Sequence, residues 1–310
     1  MTAVVYVVTW IALAVFVVAC LARVVKWSRM PMHLRWELYP VAHEGGGRAR
    51  YGGSYLEESK WWTKPRKVSL LGELKVMVPE ILFLVALREH NRKLWTRSFP
   101  FHFGLYLVAI ATMWMMFSGI VGAFVPGAAS ILGSITTTAV PVVGGVGLVL
   151  GLVGAIGLLL RRSSRELRDY TAPADRFNLG FFIVAFTVAL ATFVIVDRDF
   201  AVVSAFVANL VTFHMVAIPG SGLAALLPML SAVLLALLAA YIPLTHMSHF
   251  IGKYFAYHAI RWKDEPNLQG GDEEKTINEL LGQPISWAAP HIQGGGTKTW
   301  LDAATEEQKS

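Results

Sequence analysis

The stretch SFPFHFGLYLVAIATMWMMFSGIVGAFVPGAASILGSITTTAVPVVGGVGLVLGLVGAIGLLL, Ser98 to Leu160, decides the fold, because it contains no Asp, Glu, Lys or Arg. A helix needs about 20 apolar residues to cross a hydrocarbon layer roughly 30 Å thick, so this stretch is long enough to cross twice. Pro, Gly, Ala and Ser cluster at Pro126 to Ser134, and a break there predicts helices over about 99–125 and 139–160. Working outward, Ala3 to Ala22 is another charge-free run. Phe177 to Val196 is a further one, closed by Asp197, Arg198 and Asp199. Phe200 to Gly252 is again free of charge but is divided by Pro219, Gly220, Ser221 and Gly222. Only its second part, about 224–251, is long enough to cross. Phe200 to Val216 is too short and reads as an interfacial helix. The expected architecture is an all-α integral membrane five-helix bundle.

Composition agrees with that reading. The 310 residues are 55% apolar and 15% charged, against about 25% charged in an average soluble domain, which excludes a cytosolic enzyme. Cys20 is the single cysteine and lies inside an apolar run, so a disulfide scaffold is excluded as well. Thiolate-held zinc and iron–sulfur clusters need several cysteines, so any such group belongs to another subunit. Cofactors on this chain are histidine-held.

Lysine and arginine set the expected orientation, since short cytoplasmic loops retain them. The connection from Arg23 to Arg97 carries fifteen and the one from Arg161 to Arg176 carries five. The 126–138 connection has none and the 197–223 connection has only Arg198. Five spans then place the N-terminus outside and both basic loops and the C-terminal tail in the cytoplasm, in a prokaryotic inner membrane. The net charge of +6 is accounted for by this orientation, and no zinc-finger or phosphate-loop pattern points to nucleic acid. The first apolar run lacks a basic leader and a small-residue cleavage site, so it reads as a retained anchor.

The chain thus divides into helix 1 (1–25), a cytoplasmic insertion (26–98), a bundle of helices 2–5 (99–260) and a tail (261–310). Within the insertion, Trp36 through Trp62 is rich in aromatic residues and glycine, and Leu70 to Leu87 is amphipathic, suited to the membrane surface. The tail carries Trp287, Trp300 and the Gly294–Gly296 run, and reads equally as an arm that orders on a partner or as a loose end.

Histidines carry the functional signal. His33, His43, His90, His258 and His291 fall in the insertion, a loop or the tail, where a solvated imidazole needs no explanation, and His214 falls in the outer interfacial segment. His102, His246 and His249 fall within or at the ends of membrane helices, where an imidazole is costly and has a partner. Helix 2 enters from the basic side near Phe99, so His102 lies about one turn in. Helix 5 runs the other way and ends near Gly252, which sets His249 at the same depth. Two depth-matched imidazoles on antiparallel helices are what axial ligation of one haem iron requires. His246, three residues before His249, is the fallback ligand or a propionate contact.

Several of these features occur together in a known family. The five-helix plan, Leu158–Leu159–Leu160–Arg161–Arg162, Leu210–Val211–Thr212–Phe213–His214 and Pro243 six residues before His249 resemble the gamma subunit of respiratory nitrate reductases, a quinol-oxidising membrane cytochrome b. Met30–Pro31–Met32–His33–Leu34–Arg35–Trp36–Glu37 and Ser98–Phe99–Pro100–Phe101–His102–Phe103 are more similar to related cytochrome b subunits of sulfur- and sulfate-metabolising complexes. The resemblance covers about residues 1–260. It implies haem b held by His102 and His249, a quinone or quinol as substrate, and a cytoplasmic iron–sulfur partner subunit of the heterodisulfide-reductase type. A periplasmic cytochrome c is a further candidate partner, beside the lipid bilayer.

The chain departs from that pattern at the second haem, whose ligand positions fall here on Thr112 and Ser231. Only unusual ligands, His214 or one of Met113, Met115 and Met116, would serve instead. Quinol protons could pass to His214 and Asp197 on the outer face or to Glu80 and His90 on the inner face, and Arg92, Lys93, Arg97 and Lys253 are candidate propionate contacts. The alternative is a haem-free membrane anchor or a transporter-like subunit. A transporter would line a path with intramembrane charges, and helices 1, 2, 3 and 5 have none in their interiors.

Overall fold

The computed structural model describes residues 1–30, 41–45, 54–264, 266–289, 292 and 294–306. Among them the fold is all-α, with isolated bridges and no strand. Five helices are long and apolar enough to cross a membrane: α1 (Thr2–Ser28), α4 (Arg92–Phe124), α5 (Ala129–Arg162), α6 (Pro173–Ala191) and α8 (Leu223–Leu244). In hydrocarbon every backbone polar group must be satisfied within the segment, and helices do that. The shorter helices are α2 (Leu70–Phe83), α3 (Val85–His90), α7 (Ala201–Val211), α9 (His249–Phe255), α10 (Asp272–Leu281) and α11 (Trp300–Thr305).

The helix ends depart from expectation in instructive ways. α4 starts at Arg92, because the Asn91 side chain accepts the Leu94 N–H at 3.0 Å and caps the helix ahead of the apolar run. The expected break before α5 shrinks to one turn, Pro126–Ala128, and Pro141 stays inside the helix. α6 opens with Pro173 at its first position and runs on as a π-turn, Thr192–Val196. The fifth membrane helix stops at Leu244, seven residues short of the expected end, where Pro243 sits and Thr245 turns extended.

Two compact units form, Met1–Ala19 with Val78–His246, and Cys20–Met77 with Met247–Ser310. In the first, α4 and α5 pack backbone to backbone. A Cβ on Gly104 would overlap the backbone at Gly151, and one on Gly154 would overlap the Phe101 backbone. Small residues drive helix association in lipid by permitting this approach. Phe186 covers the Gly151 side and is fully buried, as are Ala155 and Ala185. α7, with 11 residues, is too short to cross, as expected, but it does not stand apart from the bundle. Phe206, Val207 and Leu210 are buried, Phe206 lies 4.7 Å from the Tyr6 ring, and Trp10 donates its indole N–H to the Leu210 carbonyl at 2.9 Å.

In the second unit, Val41, Tyr257 and Trp262 form a small core with Met77 and Ala42 against it. The tail folds on itself: Ile285 is buried, Pro284 bridges Thr299, and a reciprocal cap between Thr299 and Asp302 starts α11. The amides of Ile285, Gly295, Gly296 and Trp300 all bond to carbonyls within the tail.

Replacing Gly154 by Leu is expected to force α4 and α5 apart, costing at least the 1–3 kcal/mol typical of overpacking, about. Loss of monodisperse protein in detergent, with Gly180→Leu as the tolerated control at a site with open space beside it, checks this.

Candidate functional site

His102 lies on α4 at the end of unit 1 where α4 starts and α5 ends. Its ring meets the edge of Phe101 at 5.3 Å, and Phe101 in turn packs edge-on to Phe182 of α6 at 4.9 Å. The close approach of Gly154 to Phe101 fixes this wall, so the glycine contact also sets the place of His102. His102 Nδ1 lies 2.8 Å from the Ser98 carbonyl oxygen, an acceptor only, so Nδ1 carries the proton and donates. A metal-ligating imidazole is commonly held by a backbone carbonyl at its other ring nitrogen in this way.

His249 belongs to the second unit. It opens α9 after a 3-10 turn, His246–Ser248, so it does not lie on the crossing helix itself. α9 is held from α1: a Cβ on Gly252 would lie 3.1 Å from the Trp27 ring, and Trp27 meets Phe255 at 6.2 Å.

His246 does not share a helix with His249, because the helix ends first. Its ring has polar partners instead: Nε2 lies 3.3 Å from Asp175 Oδ1 and 3.4 Å from Asn178 Nδ2. Arg162 holds the other Asp175 oxygen at 2.9 Å, and the Tyr241 hydroxyl donates to Asn178 Oδ1 at 2.8 Å. With its side chain 61% exposed and Nε2 among these groups, His246 fits a polar link between α5, α6 and α8 better than an axial ligand.

The remaining histidines divide. His33 and His291 lie outside the described residues. His43 is not solvated: it is buried, with Nε2 2.6 Å from Asp264 and Nδ1 3.8 Å from Glu73. Arg66 reaches the second Asp264 oxygen at 2.5 Å, and His258 lies 3.5 Å from Glu73. Sequence reasoning missed this cluster, because its members are up to 221 positions apart. His90 donates from Nδ1 to the Ala86 carbonyl, and Glu80 accepts the Ala86 N–H at 2.8 Å.

At the opposite end of unit 1, a cleft of about 600 Å³ lies between α4 and the end of α7, lined by Gly119, Phe124, Asn209, Thr212, Phe213 and His214 among others. The size is that of a small-molecule site. Thr212 uses its hydroxyl proton on the Ala208 carbonyl at 2.8 Å, so it accepts from His214 Nδ1 at 3.0 Å. His214 Nε2 is thereby left as the basic nitrogen. Phe213 beside it holds a left-handed φ of 59° and stacks on Trp10 at 5.7 Å.

Thr112 and Ser231, the positions expected for a second ligand pair, line one cavity in the middle of unit 1 together with Met115. It measures about 60 Å³, far below the roughly 300 Å³ at which cofactor pockets begin. Neither side chain, a threonine and a serine hydroxyl, is an ordinary haem ligand. No group of three or more metal-ligating His, Cys, Asp or Glu side chains occurs among the described residues.

No protein family, no curated protein and no solved structure matches this chain. Fold and composition define the class: an all-α protein with five helices able to cross a membrane.

Asp264→Ala is expected to destabilise the second unit by about 3–5 kcal/mol, since it leaves His43 and Arg66 without their shared carboxylate. Faster amide exchange confined to 41–45, 66–77 and 254–264 checks it.

Proposed function

We propose that the protein is a membrane-anchored b-type cytochrome subunit that exchanges electrons between the quinone pool and a cytoplasmic iron–sulfur partner. The observation that carries this reading is the place of His102, with Nδ1 2.8 Å from the Ser98 carbonyl oxygen, the backbone contact that metal-ligating imidazoles commonly make. An imidazole beside the apolar wall of Phe101 and Phe182 is the kind of donor a haem iron takes. His249 is the second ligand of this proposal, and His246 is withdrawn to the Asp175–Asn178 link. When bound, the haem supplies one-electron chemistry; the chain supplies ligation, burial and charge placement.

Two sides stay open for quinol: the cleft beside His214, which lies at the opposite end of unit 1 from His102 and therefore far from a single haem held there, and the side of Glu80 and His90. In the cleft, apolar walls suit a lipid-soluble ring, and the Nε2 lone pair suits acceptance of a hydroxyl proton. On the other side, Glu80 caps α3 and His90 bonds its own helix. The iron–sulfur partner is part of the proposal because this chain, with one cysteine, has no set of thiolates to hold a cluster itself. The cytoplasmic side is proposed for the basic loops by the positive-inside rule.

Purified protein is expected to show b-type bands in its reduced-minus-oxidised spectrum and one haem per chain by pyridine haemochrome. Replacement of His102 or His249 by Ala should abolish the bands, and His246→Ala should retain them. Bands that persist in both of the first two variants refute the ligand pair, and a wild type without haem leaves a multi-pass anchor. Orientation is checked in a Cys20→Ser background: a cysteine introduced at Ser164 should be shielded from an impermeant maleimide in intact cells, and one at Ser221 should react.

A further inference from the structure

The cavity at the centre of unit 1 is bounded by α4, α5, α6 and α8 and closed by the turn entering α7. Most of its wall is apolar, with Val108, Leu148, Phe193 and Leu235 contributing. Four side chains bring polar atoms: Thr112, Thr192, Asp197 and Ser231. Thr112 donates its hydroxyl proton to the Val108 carbonyl at 2.9 Å and Thr192 to Val188 at 2.8 Å, so both oxygens remain as acceptors. Asp197 accepts the Val202 N–H at 3.0 Å and the Val203 N–H at 2.9 Å, one on each oxygen, and each oxygen keeps acceptor capacity.

Ser231 breaks the pattern. It is 5% exposed and lines the cavity, yet its hydroxyl has no hydrogen-bond partner among the described residues. Helical serines commonly bond the carbonyl four residues back, and this one does not. An unused donor therefore shares a small cavity with three acceptors. One water needs only about 10–15 Å³ of such space and two to four polar partners. The cavity offers about 60 Å³.

We propose that this cavity is a hydrated proton-holding site, in which a small water cluster accepts from Ser231, donates to Thr112 and Thr192, and exchanges a proton with the Asp197 carboxyl. The step is a hydronium giving its proton to the carboxylate, leaving water and a carboxylic acid. α4, α5, α6 and α8 bring no charged side chain to the cavity. Along the turn, Asp199 is the neighbouring carboxylate, and Arg198 directs its guanidinium to the Val194 carbonyl at 2.9 Å. Burial, the largest influence, raises the Asp197 carboxyl above the usual carboxylate range. The Val202 and Val203 amides oppose that, and Asp199 reinforces it. This site depends on neither the haem nor the quinol.

Infrared spectra of the full chain in lipid vesicles, recorded between about pH 4 and pH 8 across the carboxylate range, test it. A protonated-carboxyl band is expected to grow as pH falls, to shift in D2O and to be lost in Asp197→Asn. Ser231→Ala, which keeps the cap on α7, should shift that band or slow its deuterium exchange. Absence of the band in the wild type, its persistence in Asp197→Asn, or an unchanged band and exchange rate in Ser231→Ala overturns the proposal. Should Asp197→Asn fail to fold, the Ser231→Ala comparison decides alone. Xenon bound in the cavity of pressurised crystals would show a dry void and overturn it too.

Discussion

The contact of two backbones at Gly104, Gly147, Gly151 and Gly154 is the constraint on which the first unit depends. Lipid tails are as apolar as leucine, so two helices in hydrocarbon gain little from merely covering apolar surface. They gain from close packing, which requires residues without side chains where the axes cross. With α5 seated on α4 in this way, Phe101, Phe182 and Phe186 fill the space around the crossing, and α6 joins the pair. The same packing that builds the bundle builds the wall in which His102 sits.

Polar groups in the bundle show a recurring pattern. Several are bonded to their own helix, as Thr112 and Thr192 are, or linked to a neighbour, as Asn178, Tyr241 and His246 are. The Asp197 carboxylate anchors the first turn of α7 and so closes one end of the bundle. Burial without a partner is expensive in a medium that offers no water. Ser204, whose buried hydroxyl has no partner among the described residues, and Ser231, which faces the cavity, stand outside this pattern.

The second unit solves a different problem. Segments 41–45, 54–77 and 254–264 carry too few apolar residues for a large core, and Val41, Tyr257 and Trp262 supply only a small one. Buried carboxylates tie them instead. Glu44 accepts from the Val41 amide at 3.1 Å, the Ser54 hydroxyl at 2.9 Å and the Tyr55 amide at 3.1 Å, while Asp264 takes His43 and Arg66. Lys263 pairs with Glu273 at the start of α10. Such pairs bring geometric uniqueness more than net stability.

The amino-acid sequence by itself determined the helical class, the number of long apolar helices and the short α7, because the length of a charge-free run is a local quantity that hydrocarbon thickness converts into spans. It also marked His102 as an intramembrane imidazole needing a partner. Tertiary structure alone decided the rest. The end of α8 at Leu244 was hidden because a proline within a helix can either kink or stop it. His43, read as a solvated loop residue, became a buried ion-pair partner because its carboxylates come from distant segments. The meeting of Thr112, Ser231 and Asp197 at one cavity depends on which segments lie side by side in space, a relation that spacing along the chain does not encode.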